Sequence, residues 1–447
     1  MTNLFGLRKE KILFVIVFHI TIGLVLTITK SIAFYWQVMI LILGLMHIVQ
    51  SGNRKNEAAI WAAYFAGMEV IVRMTGQYAF WEIGKYGVIA FLGTGIFISR
   101  SKYEPAYLLY FLFLLPSIFV ANYKDWNQAK DMLSFNLSGP LCLTVSAIYF
   151  HNRNIDGGIL LAIFRAFALP ILTMLVYLSF GTVDLSDITF DTHSNFKASG
   201  GYGPNQVSMV LGFSVFMLII LRYYRQTFSG WLWIDYILIL LLLFRALVTF
   251  SRGGVLGMAL ALGVFLFFNL VQKSRVQKIG KRFLLFVFVG GSAYLLWNYT
   301  NELTQNKLTD RYSSTQERKR GDQLTTGRLL LGENDLMIFL EKPLLGIGPG
   351  NSKIGNKELI GREVATHTEW TRMLAEHGIF GLISLLLLLG IPLNHLISRS
   401  TNLRPLLIAL FVLAIFSSTH SAMRVAAIGF LYSLSLIHPI KKLEAET

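Results

Sequence analysis

Arginine residues near the ends of apolar runs are the first candidates for chemistry in this chain. Arg245 and Arg252 lie seven residues apart, and both would share one face if the helix carrying Arg245 continued through Phe250 and Ser251. A guanidinium stays charged and offers a planar fork of donors, so converging arginines can bind a diphosphate and stabilise it as a leaving group. The alternative is that each side chain only extends its charge to the membrane interface.

A histidine in the longest hydrophilic segment is the candidate base. His367 stands directly before the stretch 368–377, which predicts a short helix with Trp370 on its apolar face. An imidazole titrates near neutral pH and can take a proton from an acceptor hydroxyl. Glu369 is a rival base, and a solvated histidine without a role is the alternative. We expect His377 to be structural.

Several chemistries have no support in the sequence. It contains no GxxxxGK[ST] phosphate loop, HExxH motif, cysteine cluster or GxSxG elbow. The acidic residues Asp184, Asp187 and Asp191 are scattered and predict no metal site, so we expect no metal and no cofactor. The glycine-rich run 346–351 could offer backbone N–H groups to a phosphate, although a plain turn is the simpler interpretation.

The elements that must position these residues are transmembrane helices. Of 447 residues, 54% are hydrophobic and only 15% are charged, and the apolar residues form continuous runs of bilayer-spanning length. Backbone groups in lipid must pair within each segment, so the sequence predicts an all-α polytopic membrane protein with about twelve to fourteen spans. The predicted spans are approximately 12–28, 32–49, 57–73, 83–99, 106–121, 133–150, 158–180, 204–221, 232–249, 253–271, 283–297, 379–397, 405–420 and 422–437. The last two are short and could form one broken helix.

The loop charges predict the orientation of these spans. The net charge of +15 lies largely in loops that follow even-numbered spans, for example at Arg54 and in the run 273–282. These loops, and both termini, are therefore expected to be cytoplasmic. The segment 181–203, the turn at Ser251–Arg252, the segment 298–378 and the turn near His420 then share the outer side. Within the third span, Glu69 and Arg73 predict a structural ion pair.

The chain divides into three expected parts. Residues 1–297 form the first eleven spans, residues 298–378 form one large periplasmic catalytic loop with short amphipathic helices, and residues 379–447 form the C-terminal spans and a short cytoplasmic tail. Within the loop, 328–341 predicts an interfacial helix that ends before Pro343. The stretch 299–327 is rich in polar residues, so we expect it to be mobile and dispensable.

An ordered set of motifs resembles the O-antigen ligase and polymerase superfamily. The set begins with Ser199-Gly-Gly-Tyr-Gly-Pro204-Asn205 and Thr249-Phe-Ser251-Arg252-Gly253-Gly254. It continues with Thr326-Gly-Arg328-Leu, with Glu341-Lys-Pro343-Leu-Leu-Gly346-Ile-Gly348-Pro349-Gly350-Asn351, and with His367-Thr-Glu-Trp370-Thr-Arg372-Met-Leu-Ala-Glu376-His377-Gly378-Ile-Phe-Gly381. The motifs cover about residues 195–385, and the rest of the chain is similar only in hydropathy.

The resemblance implies a metal-independent, inverting glycosyltransferase with a membrane fold related to the GT-C class. Such an enzyme uses an undecaprenyl-diphosphate-linked glycan on the periplasmic face of the bacterial inner membrane. By this resemblance Arg252 and Arg328 engage the diphosphate, and His367 activates the acceptor hydroxyl. Thr368 departs from the common His-Asn pair, so the amide contact there is lost or replaced by a hydroxyl. Second-tier substrate-binding candidates are Arg245, Arg372, Asn205, His420 and Arg424.

The acceptor and the rival classes stay open at this point. A ligase of lipopolysaccharide biosynthesis would use lipid A-core, an O-antigen polymerase would use a second lipid-linked repeat unit, and a protein oligosaccharyltransferase would use a protein. A transporter or flippase of lipid-linked glycans would also need many helices and intramembrane arginines. A scaffold in an export complex would tolerate changes at His367 and Arg328. Nucleic acid is not expected as a partner.

Overall fold

The computed structural model describes residues 9–99, 104–190, 193–272, 279–313, 324–360, 366, 368–398 and 401–440. Its helices are α1 (Lys9–Ile28), α2 (Ile32–Ser51), α3 (Glu57–Thr75), α4 (Ile83–Ser99), α5 (Pro105–Leu112), α6 (Trp126–Phe150), α7 (Gly157–Phe180), α8 (Pro204–Tyr223), α9 (Leu232–Val248), α10 (Arg252–Gln272), α11 (Ile279–Leu303), α12 (Lys307–Ser313), α13 (Leu324–Glu341), α14 (Ser352–Ile360), α15 (Glu369–Ser398), α16 (Arg404–Ser421) and α17 (Ala426–Leu434). Two 3-10 helices cover Pro116–Val120 and Leu185–Asp187, and the strands β1 (Asn154–Ile155) and β2 (His438–Pro439) pair in parallel.

Long apolar helices confirm the predicted all-α polytopic class. Within the described ranges, eight helices are long and apolar enough to cross a bilayer, namely α2, α3, α6, α7, α8, α10, α15 and α16. The apolar parts of α1 and α4 and the stretch Pro105–Val120 are shorter. Continuous apolar sequence therefore folds here into helices whose backbone groups pair internally.

Two predicted spans are wrong in length. The expected span 106–121 is broken, because α5 ends at Leu112 and a 3-10 turn begins at Pro116, which has no backbone N–H to continue an α-helix. The expected span 422–437 contains only the nine-residue α17. At 1.5 Å per residue such a helix covers less than half of the roughly 30 Å hydrocarbon core. The break before α17 lies at Ala422, whose φ is 48°.

A kink at Gly378 joins two elements that the sequence predicts separately. The short helix 368–377 and the span 379–397 form one element, α15, with Gly378 at φ 59° and ψ −138° between them. Directly after the kink, Ile379 donates its N–H to the carbonyl of Pro343 at 2.7 Å. A Cβ on Gly378 would lie 2.6 Å from the backbone of Leu344, so the close approach of this loop requires glycine.

Helices α3, α7 and α8 form the centre of the bundle. The apolar stretch of α3 is 94% buried and those of α7 and α8 are 89% buried, whereas those of α2 and α10 are only 33% buried. Close packing of α3 on α7 depends on Gly67, where a Cβ would lie 2.2 Å from the Phe167 carbonyl oxygen. The single cysteine, Cys142, is buried in α6. Peripheral helices thus present apolar side chains outward, as a lipid-facing surface requires.

Different segments of the chain meet at the two ends of the bundle. At one end, which we call the site end, Asn195 N–H donates to the Thr249 carbonyl at 2.9 Å, and the Trp370 indole donates to Ser418 Oγ at 3.1 Å. The first contact joins the segments 181–203 and 249–252, and the second joins 298–378 and 417–425. Arg252 Nη1, which donates to the Arg311 carbonyl at 3.1 Å, links the two pairs, so these segments share one end as the sequence predicts. At the opposite end, the β1–β2 pair ties residues 438–439 to the connection between α6 and α7.

Candidate functional site

The turn between α9 and α10 separates Arg245 from Arg252. The condition for a shared face, a single helix through Phe250 and Ser251, is not met, because α9 ends at Val248 and Phe250 has a φ of 57°. Arg245 is buried in the last turn of α9, where the carboxylate of Asp184 supplies an opposite charge. Arg252 is half-buried as the first residue of α10. The two guanidinium groups therefore do not share a helix face.

A second arginine, Arg311, lies beside Arg252. Arg252 Nη1 donates to the Arg311 carbonyl at 3.1 Å, and Arg311 Nε donates to the Phe250 carbonyl at 3.3 Å. Burial raises the pKa of the neighbouring Tyr312, and the charges of both arginines oppose that rise. Arg311 belongs to α12, so part of the stretch 299–327 is helical, and its expected mobility and dispensability stay predictions. Two arginines therefore lie together at this turn.

Asn205 and His420 flank the start of α10. Asn205 Oδ1 accepts from Ser251 Oγ at 2.8 Å. His420 lies against the backbone of Gly253, where a Cβ would approach the imidazole ring to 1.6 Å. Only glycine allows α10 and α16 to meet this closely. The structure therefore brings Asn205, Arg252 and His420 together at the site end.

The other two first-tier candidates lie partly or wholly beyond what the structure describes. Arg328 belongs to α13, but its side chain is outside the described part, and His367 is itself outside the described residues. Their neighbours are described. Thr366, directly before His367, is buried, and its hydroxyl donates to Asp335 Oδ1 on α13 at 3.2 Å. The helix of Arg328 is thereby joined to the segment of His367.

Asp335 is the centre of this junction. Its carboxylate is fully buried and also accepts from Thr371 Oγ1 at 2.8 Å. Burial raises the pKa of Asp335 to about 6, and the hydrogen bonds from Thr371 and Thr366 act in the opposite direction. The outward face of α13 carries exposed apolar side chains such as Leu336 and Met337, which suits the predicted interfacial helix.

A buried group of charges, the Arg372 cluster, fixes the first turns of α15. Arg372 pairs with Glu369 at 2.6 Å and with Glu376 at 2.9 Å, and it donates to Asn136 Oδ1 on α6 at 2.7 Å. Glu369 also accepts from the Met423 N–H at 3.0 Å. Two strong partners therefore occupy the carboxylate proposed as a rival base. In the last turn before the kink, His377 Nδ1 contacts Ser117 Oγ at 2.6 Å, which agrees with a structural role.

A second buried group, the Arg73 cluster, lies across the site end. Arg73 pairs with Glu69 at 2.7 Å, which confirms the predicted pair, and with Glu82 at 3.1 Å. Lys85 pairs with Glu82 at 2.5 Å. Arg73 also donates to the carbonyl of Arg424 at 2.9 Å. The connection between α16 and α17 is therefore held from α3.

The two clusters border a cavity of about 490 Å³, which we call the Trp81–Arg424 cavity. Arg424 Nη2 donates to the Thr366 carbonyl at 3.0 Å, so the wall of the cavity is joined to the segment of His367. The predicted residues Arg372 and Arg424 both line it. Its lining residues are Trp81, Glu82, Asp131, Met132, Ser134, Phe135, Asn136, Gly350, Ser352, Lys353, Glu369, Arg372, Glu376, Ala422, Met423 and Arg424.

Sequence reasoning missed several residues of this site. Arg311 stands in a polar stretch that carries no local signal. Asp335 could have been found, because Leu331 and Asp335 are four residues apart and both are buried on one face of α13. Glu82 and Asn136 reach the site only through tertiary packing. In the described part of the chain, no group of three or more His, Cys, Asp or Glu side chains is arranged to hold a metal ion.

The fold and the site together define a multi-helix membrane protein with charged and aromatic groups gathered at one end of its bundle. Comparison with known families makes the class specific. Residues 236–386, about a third of the chain, match the family model described as O-antigen ligase, and this match supports the resemblance to the O-antigen ligase and polymerase superfamily. The match includes the positions of Arg252, Arg328 and His367. No curated protein matches the chain.

Proposed function

We propose that this protein is a metal-independent, inverting glycosyltransferase of bacterial surface polysaccharide biosynthesis. It takes an undecaprenyl-diphosphate-linked glycan as donor and works with its site end on the periplasmic side of the inner membrane. The acceptor is lipid A-core in a ligase or a second lipid-linked repeat unit in a polymerase. One observation carries the proposal: the segment that matches the O-antigen ligase family contains the Arg252 turn, the helix of Arg328 and the segment of His367.

The arginines would act on the leaving group. In the proposed reaction the bond between the anomeric carbon and the diphosphate oxygen breaks, and negative charge builds on that oxygen. Arg252, with Arg311 beside it, supplies positive charge for this oxygen, and Arg328, which belongs to α13, is proposed to add to it. Energy comes from the sugar–diphosphate bond, so the reaction needs no nucleotide.

His367 would act on the acceptor. It takes the proton of the acceptor hydroxyl as that oxygen bonds to the anomeric carbon, on the face opposite the departing diphosphate. This geometry inverts the configuration at the anomeric carbon. The hydrogen bonds from Thr366 and Thr371 to Asp335 keep the base segment next to α13, which supports a common position for the base and the diphosphate site.

An assay with the purified full chain tests the proposal. The protein is incubated with undecaprenyl-diphosphate oligosaccharide, with and without core lipid, and the products are resolved by size. A ladder from the donor alone identifies a polymerase, and one discrete product that requires core lipid identifies a ligase. A transporter would move the donor without changing its covalent structure, so no new glycosidic bond in either mixture would overturn the proposal.

Point variants test the assigned roles. His367→Ala, Arg328→Ala and Arg252→Ala should each abolish glycan transfer while membrane insertion and yield stay normal. Lys197→Ala removes an exposed cation at the same end of the bundle and serves as the matched control. Full activity in any of the three site variants would remove that residue from the mechanism.

A further inference from the structure

The Trp81–Arg424 cavity has a lining that differs from the arginine-rich turn at Arg252. Its volume of about 490 Å³ lies within the range of about 300–1,000 Å³ that is usual for small-molecule sites. Seven lining side chains carry charge, and two are aromatic. The carboxylates are Glu82, Asp131, Glu369 and Glu376, the cations are Lys353, Arg372 and Arg424, and the aromatic rings are Trp81 and Phe135.

The balance of charge disfavours a diphosphate in this cavity. Three lining cations face four lining carboxylates, Arg372 is already shared between Glu369 and Glu376, and Glu82 is paired with Arg73 and Lys85, so cations are not in excess in the lining. A diphosphate group binds where cations are in excess, because each carboxylate repels it. The lining is therefore suited to a ligand without phosphate charge.

Polar groups of both kinds line the cavity. The Asp131 carboxylate, an acceptor, is exposed, and the Lys353 ammonium, a donor, is half-buried. A sugar hydroxyl can donate one hydrogen bond and accept others, so a saccharide could pair with both groups.

The two rings give the cavity an apolar surface. Trp81 is 40% exposed, and the centre of the Phe135 ring lies 5.8 Å from the Arg424 guanidinium carbon and 5.9 Å from Lys85 Nζ. One face of a pyranose ring presents mainly C–H groups, which pack on an aromatic ring as other apolar groups do. Aromatic rings beside carboxylates therefore match both the C–H face and the hydroxyl groups of a sugar.

The position of the cavity indicates which saccharide it would hold. Arg424 lines the cavity and bonds the carbonyl of Thr366, the residue directly before the proposed base His367. We propose that the Trp81–Arg424 cavity binds the saccharide of the acceptor, and thereby selects it. The choice of acceptor over donor rests on the proposed function. Trp81, Phe135 and Arg424 lie outside the matched segment 236–386, whereas other lining residues such as Glu369 and Arg372 lie inside it, so both parts of the chain form the cavity.

Binding of lipid-free saccharides to the purified full chain tests this assignment. The two probes are the oligosaccharide released by mild acid from the lipid-linked repeat unit of the producing cells and their delipidated core oligosaccharide, titrated by calorimetry. At least one probe should bind, and Trp81→Ala and Phe135→Ala should each weaken it by about tenfold. Asp131→Asn, an isosteric change at an exposed position, provides a cavity variant that preserves packing. Trp126→Ala, at the exposed start of α6, should bind like the wild type.

The outcomes separate this inference from the proposed function. Arg252→Ala should keep saccharide binding, and inorganic pyrophosphate should not compete with the saccharide. Failure of both probes to bind, competition by pyrophosphate, or an equal loss in Trp126→Ala overturns the cavity assignment. Binding that depends on Trp81 and Phe135, in a protein that forms no glycosidic bond from the diphosphate donor, overturns the proposed function and leaves the cavity as a saccharide site.

Discussion

Replacing Asp335 with asparagine should strengthen the attachment of α13 to the segment around His367 at neutral pH. The Asp335 carboxylate is fully buried and accepts hydrogen bonds from Thr366 and Thr371. Burial raises its pKa from an ordinary 3.8 to about 6. Asparagine has nearly the same shape, can accept from one threonine and donate to the other, and carries no charge.

The magnitude follows from the shift in pKa. Because the folded-state pKa is raised, the attached state binds a proton more readily than the detached state, and the stability gained from that proton is lost as the pH rises through about 6. At pH 7.5 Asp335 is charged, and a rise in pKa from 3.8 to about 6 means that this charge disfavours the attached state by about 3 kcal/mol. At pH 4.5 the aspartate is mostly protonated in the attached state, so its disadvantage relative to asparagine falls to about 1 kcal/mol.

Hydrogen exchange in the full chain measures this difference. In Asp335→Asn the amides of residues 331–341 should be protected about a hundredfold more strongly than in the wild type at pH 7.5, and much less so at pH 4.5 after correction for intrinsic exchange rates. Asp335→Ala should lose protection at both pH values, and Glu333→Gln, an exposed change on the same helix, should have no effect. Equal protection of Asp335→Asn and wild type at pH 7.5, or a gain that does not depend on pH, would refute the reasoning.

Three further changes have defined outcomes. Arg372→Met should destabilise the fold by about 3–5 kcal/mol, because Glu369 and Glu376 lose the buried cation between them. Thermal unfolding in detergent measures this change in stability. Replacing both Glu369 and Glu376 with Gln in the same variant should recover part of the lost stability. Gly378→Ala should lower the free energy of unfolding by about 1–3 kcal/mol, because position 378 has a left-handed backbone. The melting temperature should fall in this variant and should not fall in Gly263→Ala, where an added Cβ meets no atom within 4 Å. Arg311→Ala should lower donor turnover by about tenfold while Lys307→Ala does not; equal rates would separate Arg311 from the diphosphate.

The fold was predictable where apolar length alone decides the structure. Helices α2, α3, α4, α7 and α8 begin at or within one residue of their predicted starts, because hydrocarbon imposes helical pairing on any long apolar run. Prediction failed at Pro116 and at Ala422, where the runs remain apolar but the backbone breaks. Hydropathy reports the surroundings of a segment, and it does not report whether each residue can continue a helix.

The site was predictable only in part, for a different reason. The Glu69–Arg73 pair lies within one turn of one helix, so spacing was sufficient to predict it. Asn136 and Arg372 are 236 residues apart, and their contact depends on how α6 and α15 pack. Arg252 meets Arg311 in the same way, across 59 residues. Such contacts are properties of tertiary packing, and a single sequence carries no local trace of them.

The burial of Cys142 in α6 makes the chain a natural background for thiol labelling. Because it is the only cysteine and its side chain is buried, a membrane-impermeant maleimide has no exposed thiol to modify in the folded protein. A cysteine introduced at Lys197 would then report the membrane side of the site end, and one introduced at Asn154 would report the opposite side. In intact cells the first should react and the second should remain unlabelled until the membrane is permeabilised.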